Sequence, residues 1–241
     1  MKSTEIIFVI DKSGSMAHLT NDTIGGFNGF IDNQKKLDGK ATLTTVLFDT
    51  TWRTLHDGVD IHEVNPITTS DYMAYGGTAM LDAIGETINR VQDRHDELGT
   101  EKPDSVMFVI TTDGEENASR KFNKSQIEKM IKHQTNGHGW EFMFLGANMD
   151  AVQEAASIGI SSDRSVTYDY TAKGVATSYA TMDCMASALR ADDSLFGNVS
   201  ITDIYAACSA DGATVDTLTT AINNFEKVST IDDLTAISAN N

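Results

Sequence analysis

Directly after the apolar run Ile6–Ile10, the chain reads Asp-Lys-Ser-Gly-Ser, placing Asp11, Ser13 and Ser15 on alternate positions. One carboxylate and two hydroxyls on a tight loop can aim at a single centre, and Gly14 lets that loop turn. Hard divalent cations such as Mg²⁺ take oxygen ligands of this kind and keep several waters. Two further oxygens are available elsewhere. Thr78 follows Gly76 and Gly77 just before a helical pattern, and Asp113 follows a second apolar run in Thr-Thr-Asp-Gly. Each feature also has a plainer reading. Asp and Ser cap turns and helix starts, Thr78 suits a helix N-cap, and an acid before Gly114 suits a turn.

The elements that must position these residues are legible from periodicity. Ile6–Ile10, Ser105–Thr112 and Trp140–Ala147 are short, continuous apolar runs, as strands buried on both faces read. Ala41–Asp49 and the segment from Thr51, separated by a very short turn, read as an antiparallel hairpin at one edge. The stretch from Arg164 reads as a last strand. Helical spacing joins Leu81, Ile84, Ile88 and Val91; it also joins Ile127, Met130 and Ile131 after Asn123, whose partner Gln126 completes a capping-box pattern. Ile24, Phe27 and Ile31 mark a first helix weakened by three glycines, and Val175, Tyr179, Met182, Ala186 and Leu189 form another amphipathic stripe. The expected class is α/β: an open, mostly parallel, doubly wound Rossmann-like sheet with one antiparallel edge strand and helices on both faces. In such sheets ligands bind beyond the carboxyl ends of strands, which is where Asp11 and Asp113 fall.

Asp-x-Ser-x-Ser at 11–15, the Gly-Gly-Thr loop ending at Thr78 and the Thr-Asp-Gly at 112–114, in that order, resemble the von Willebrand factor A-type (VWA) domain. The resemblance covers Met1 to about Asp169 and is nearest to stand-alone cytosolic bacterial or phage versions. It implies a metal-ion-dependent adhesion site (MIDAS) in which Asp11, Ser13, Ser15, Thr78 and Asp113 hold Mg²⁺ or Mn²⁺, directly or through water. It further implies a coordination position left for a Glu or Asp of a protein partner. Residues 1–190 are then the VWA-like domain, and 191–241 an Ala/Ser/Thr/Asp-rich extension, partly helical, packed on the domain or mobile. Within that extension Val215, Leu218, Ile222 and Phe225 mark a helix.

Composition narrows the function classes. Thirty-five acids against 18 bases give a net charge of −17, which repels nucleic acid and anionic membranes. No apolar run approaches the ~20 residues of a membrane span, and the N-terminal residues lack a secretory pattern, so a cytoplasmic protein is expected. Cys184 and Cys208 have no metal-ligand spacing and are expected as reduced thiols. No phosphate-binding, dinucleotide or serine-hydrolase motif occurs, and the six histidines show no zinc-site spacing. A phosphoryl-transfer hydrolase of the haloacid dehalogenase type would need a second acid where Ser13 stands. The function that the resemblance implies is a metal-dependent protein-binding module rather than an enzyme; a metal-dependent hydrolase and a scaffold with a purely structural metal site are the alternatives. Glu115 and Glu116, beside Asp113, are expected to be solvated.

Overall fold

The computed structural model describes residues 2–191 and 199–210. Six strands form one sheet: β1 (Ser3–Asp11), β2 (Lys40–Phe48), β3 (Trp52–Asp60), β4 (Ser105–Thr112), β5 (Trp140–Ala147) and β6 (Ser165–Tyr168). Their order is β3-β2-β1-β4-β5-β6. Only the β2–β3 pair is antiparallel, at the edge where the hairpin was expected. The α-helices among the described residues are α1 (Thr20–Gln34), α2 (Met80–Leu98), α3 (Lys124–His138), α4 (Ala151–Ser157), α5 (Ala172–Ala191) and α6 (Ile201–Ser209). None is long and apolar enough to cross a membrane.

Successive side chains of a strand point to opposite faces, so a central strand needs apolar residues at every position. On β1, Ile6, Phe8 and Ile10 enter the core beneath α1, α5 and α6, while Ile7 and Val9 enter a second core beneath α2, α3 and α4. All five are fully buried. Strand β1 lies between β2 and β4, so the chain leaves it first in one direction and later returns on the other side. The carboxyl ends of β1 and β4 therefore flank the switch in strand order, the usual position of a binding crevice in open α/β sheets.

Local signals account for several element ends. Asn123 and Gln126 form the capping box of α3, with both reciprocal hydrogen bonds in place. Helix α1, the helix marked by Ile24, Phe27 and Ile31, starts at Thr20 after a 3₁₀ segment spanning Gly14–Leu19. One of its glycines has a packing reason: a Cβ on Gly26 would fall 2.2 Å from the Tyr179 ring of α5, so the helices meet where a side chain is missing.

Helix α5 departs from the expected amphipathic stripe. Besides Val175, Tyr179, Met182, Ala186 and Leu189, it buries Thr181, Asp183, Cys184 and Ser187, because α1 packs on one side and α6 on another. The buried Asp183 carboxylate is satisfied by Asn33 Nδ2 and Gln34 Nε2, both at 2.7 Å. Val199, Ile201 and Ile204, beyond position 190, belong to the same core, and Arg164 donates to the Val199 carbonyl at 2.6 Å. Cys184 and Cys208 stand as reduced thiols on these two helices. The helix expected around Val215, Leu218, Ile222 and Phe225 lies outside the described residues.

Candidate metal centre

Asp11 is the last residue of β1 and is fully buried. Its Oδ1 accepts the Ser13 backbone N–H at 2.6 Å, and its Oδ2 accepts the Thr112 hydroxyl at 2.6 Å. The second contact follows from register: β1 and β4 pair Ile10 with Thr111, so the next residues, Asp11 and Thr112, stand side by side. From Ser13 the chain of oxygens continues outward. The Ser13 and Ser15 hydroxyls are 3.1 Å apart, and Ser15 donates to Asp113 Oδ1 at 2.7 Å. Thr78 reaches the same place: a Cβ on Gly114 would sit 3.6 Å from the Thr78 hydroxyl and 3.9 Å from that of Ser15. All five residues singled out in the sequence are thus gathered on one rim.

The three loops are held to one another by backbone. Gly14 N–H donates to the Gly76 carbonyl at 3.1 Å, with Gly76 at φ +79°, a conformation that favours glycine. Tyr75 N–H donates to the Lys12 carbonyl at 2.9 Å, and Asn117 N–H to the Thr78 carbonyl at 3.1 Å. The side chain of Thr78 does not cap α2, whose N-cap position is Ala79 without a side-chain cap. That duty falls to Glu116, and here the sequence expectation is corrected. Rather than being solvated, Glu116 accepts the backbone N–H groups of Leu81, Ala118 and Ser119 at 2.7–2.9 Å, because the unpaired donors at the start of α2 and in its own loop converge on it. Asp82 works in the reverse direction, accepting three backbone N–H groups from Arg120, Lys121 and Phe122. Glu115 is exposed, as expected.

Electrostatically the rim is acidic. Burial pushes the Asp11 carboxyl up to about 6, against the downward pull of the Thr112 and Ser13 hydrogen bonds, and the nearby Asp113 charge adds to the rise. Asp113 is also raised by burial, opposed by the Ser15 hydroxyl. Among the described residues neither acid has an ion pair with a lysine, arginine or histidine. Lys12, the base next to Asp11 in sequence, is paired with Asp49. The donor set is therefore two carboxylates and three hydroxyls, with no grouping of three or more His, Cys, Asp or Glu among the described residues. An all-oxygen set of low formal charge, left without a protein cation, suits a hard divalent ion such as Mg²⁺.

Three supporting residues escaped the sequence reading. Thr112 bridges Asp11 and Gly114, accepting the Gly114 N–H at 3.2 Å. Tyr72 is buried and its hydroxyl donates to the Asp11 carbonyl. Tyr170, just beyond β6, donates to the Ser15 carbonyl from the far side of the rim. The alternation of Thr112 with the inward residues of β4 could have suggested the first; the tyrosines join the site across 61 and 155 residues, and nothing local announces them.

No protein-family model and no curated protein matches the sequence. Solved structures do match. A von Willebrand factor type A structure from Catenulispora acidiphila aligns with 76% of this chain and 42% of its own, at 15% identity and a TM-score of 0.51. Proximal thread matrix protein 1 of the mussel byssus, with a zinc-occupied MIDAS motif, aligns with 86% of this chain and 46% of its own, at 15% identity and a TM-score of 0.50. PilB, a minor pilin of Streptococcus sanguinis, aligns at 10% identity over 76% of this chain and 60% of its own, with a TM-score of 0.53. In the first two the aligned part is less than half of the solved chain. At these identities the likeness is one of fold: the chain has the VWA-type fold.

Proposed function

We propose that this protein is a divalent-metal-dependent protein-binding module. In this reading Asp11, Ser13, Ser15, Thr78 and Asp113 hold a Mg²⁺-type ion, with Mn²⁺ as a substitute, and a protein partner adds a Glu or Asp. The observation that carries the reading is the buried Asp11 carboxylate at the switch point, surrounded by hydroxyls and joined to a second acid, with no basic group supplied by the described chain. A bound divalent ion would offset the two carboxylates and, since the rim's oxygens need not fill its coordination shell, would leave a position that an oxygen of an outside acid can take. The chain's own part is to hold that arrangement ready. Thr112 and the Ser13 N–H fix both oxygens of Asp11, Ser15 orients Asp113, and the Gly14–Gly76 bond keeps Thr78 in register. The zinc-occupied MIDAS motif of the mussel protein, on a similar fold, supports a metal role for this rim.

A binding role is favoured over catalysis by the residue types. Ser13 stands where a phosphoryl-transfer hydrolase would need its acid–base carboxylate, and the Ser13 and Ser15 hydroxyls bond to each other and to Asp113 rather than to a histidine or lysine. Titration with Mn²⁺, followed by electron paramagnetic resonance, tests the metal reading directly. One saturable site is expected in the intact protein and none in Asp11→Asn, with both proteins giving the same circular dichroism. Equal Mn²⁺ binding by the two would overturn it.

A further inference from the structure

Among the described residues, Met73 and Tyr75 are the most exposed large hydrophobic side chains, at 66% and 76%. Both lie on the loop that leads into Thr78. Single exposed apolar residues are ordinary on a protein surface. These two differ in how firmly they are displayed. Their neighbour Tyr72 is buried and bonded to the Asp11 carbonyl, so Tyr72 points in where Met73 and Tyr75 point out. Beyond them, Tyr75 N–H is tied to Lys12, the Gly76 carbonyl to Gly14, Gly77 N–H to the Thr50 hydroxyl at 2.8 Å, Thr78 N–H to Asn117 at 2.9 Å and Ala79 N–H to Asp49 at 2.7 Å. A loop pinned at consecutive residues has little backbone entropy left to lose on binding, and a tyrosine with two side-chain torsions adds little more.

The surroundings define what would fit. Beside Met73 is an open hollow of about 250 Å³, lined also by Leu47, Trp52, Lys12 and Arg53. Lys12 pairs with Asp49 and Arg53 with Asp71, so this edge is locally balanced in a chain of net charge −17. An acidic segment approaching over Met73 passes acids, Asp49 and Asp71, that are each already paired with a base.

We infer that the partner is a protein segment carrying an acidic side chain with a large apolar or aromatic residue next to it or one residue removed, the acid directed to the rim and the apolar residue packed on Met73 and Tyr75. This rests on the metal reading above and adds a specificity determinant to it. The test is selection from a random-peptide display library on the intact protein in Mg²⁺, with elution by chelator. Enriched peptides should pair Asp or Glu with Leu, Met, Phe or Trp at that spacing. Their affinity should fall roughly tenfold in Tyr75→Ser combined with Met73→Ser, the loss expected for anchors of an interface, while Mn²⁺ binding by that variant is unchanged. Enriched peptides with an acid but no apolar neighbour, or equal affinity for the double variant, would overturn the inference and leave the metal reading intact. Absence of any chelator-sensitive peptide would overturn the inference as well. Absence of Mn²⁺ binding by the intact protein would remove the metal reading and the inference together.

Discussion

Strand β1 carries a buried carboxylate near each end, and the two are treated oppositely. Glu5, near the amino end, is 1% exposed and fully provided for. Its carboxylate accepts from the Thr44 hydroxyl at 2.6 Å, bonds to His95 Nε2 at 2.7 Å and pairs with Arg94 of α2. Asp11, at the carboxyl end, is equally buried but meets only hydroxyls, one N–H group and another acid. The same strand therefore holds one acid neutralised from within and one whose countercharge is absent from the described residues. Burying an uncompensated charge is costly, so a fold that keeps Asp11 in this setting sacrifices stability at the end where a ligand would bind.

The comparison can be broken most forcefully at Glu5. Glu5→Ala leaves Arg94 and His95 without their buried partner and is expected to lower stability by about 3–5 kcal/mol in chemical denaturation, with or without Mg²⁺. A loss that Mg²⁺ repairs would contradict the division of labour between the two ends.

Asp11 sharpens the contrast through pH. Its carboxyl is raised from 3.8 to about 6, which penalises the folded state by on the order of 3 kcal/mol once the group is charged. Below about pH 4 the acid is protonated in both folded and unfolded chains and no penalty applies. As pH rises through about 6 the penalty becomes complete. Metal-free Asp11→Asn is therefore expected to be more stable than the natural protein near neutral pH, with the advantage shrinking as pH falls toward 4. Urea titrations of both proteins at several pH values would measure it; a constant difference would deny the shift. Mg²⁺ should narrow the gap near neutral pH by stabilising only the natural protein.

Smaller effects come from single hydroxyls at and behind the rim. Thr78→Ala removes one hydroxyl from the rim and is expected to weaken Mn²⁺ binding by roughly tenfold without changing stability, since its side chain caps no helix. Tyr72→Phe deletes the hydroxyl held by the Asp11 carbonyl and is expected to cost about 1 kcal/mol. If Tyr72→Phe instead matched the Glu5 substitution in size, the loop would be a principal stabilising element and not a display platform.

Much of this was legible in the sequence, for identifiable reasons. The buried runs at Ile6–Ile10, Ser105–Thr112 and Trp140–Ala147 needed no context, since a strand covered on both faces has an apolar residue wherever it points. The residues Asp11, Ser13, Ser15, Thr78 and Asp113 stood out because each follows a strand or precedes a helix, where the fold class puts ligands. What stayed hidden depends on distant contacts. Glu116 looks like a solvated acid until the start of α2 is folded against it, and Asp183 looks like the polar face of a helix until Asn33 and Gln34 arrive. Tyr72 and Tyr170 read as ordinary aromatic residues because each donates its hydroxyl to a backbone carbonyl, which any sequence supplies.

The seating of α6 has a practical corollary. Ile201, Ile204 and Ala207 cover apolar surface of the same core as α5, and Arg164 is committed to the carbonyl of Val199. Truncation at 190 would strip that cover and leave a buried guanidinium with one acceptor fewer. Expression vectors designed to isolate the domain that carries the rim should accordingly run to at least Ala210. Insolubility of anything shorter would follow from the cut itself and have no bearing on whether the rim binds metal.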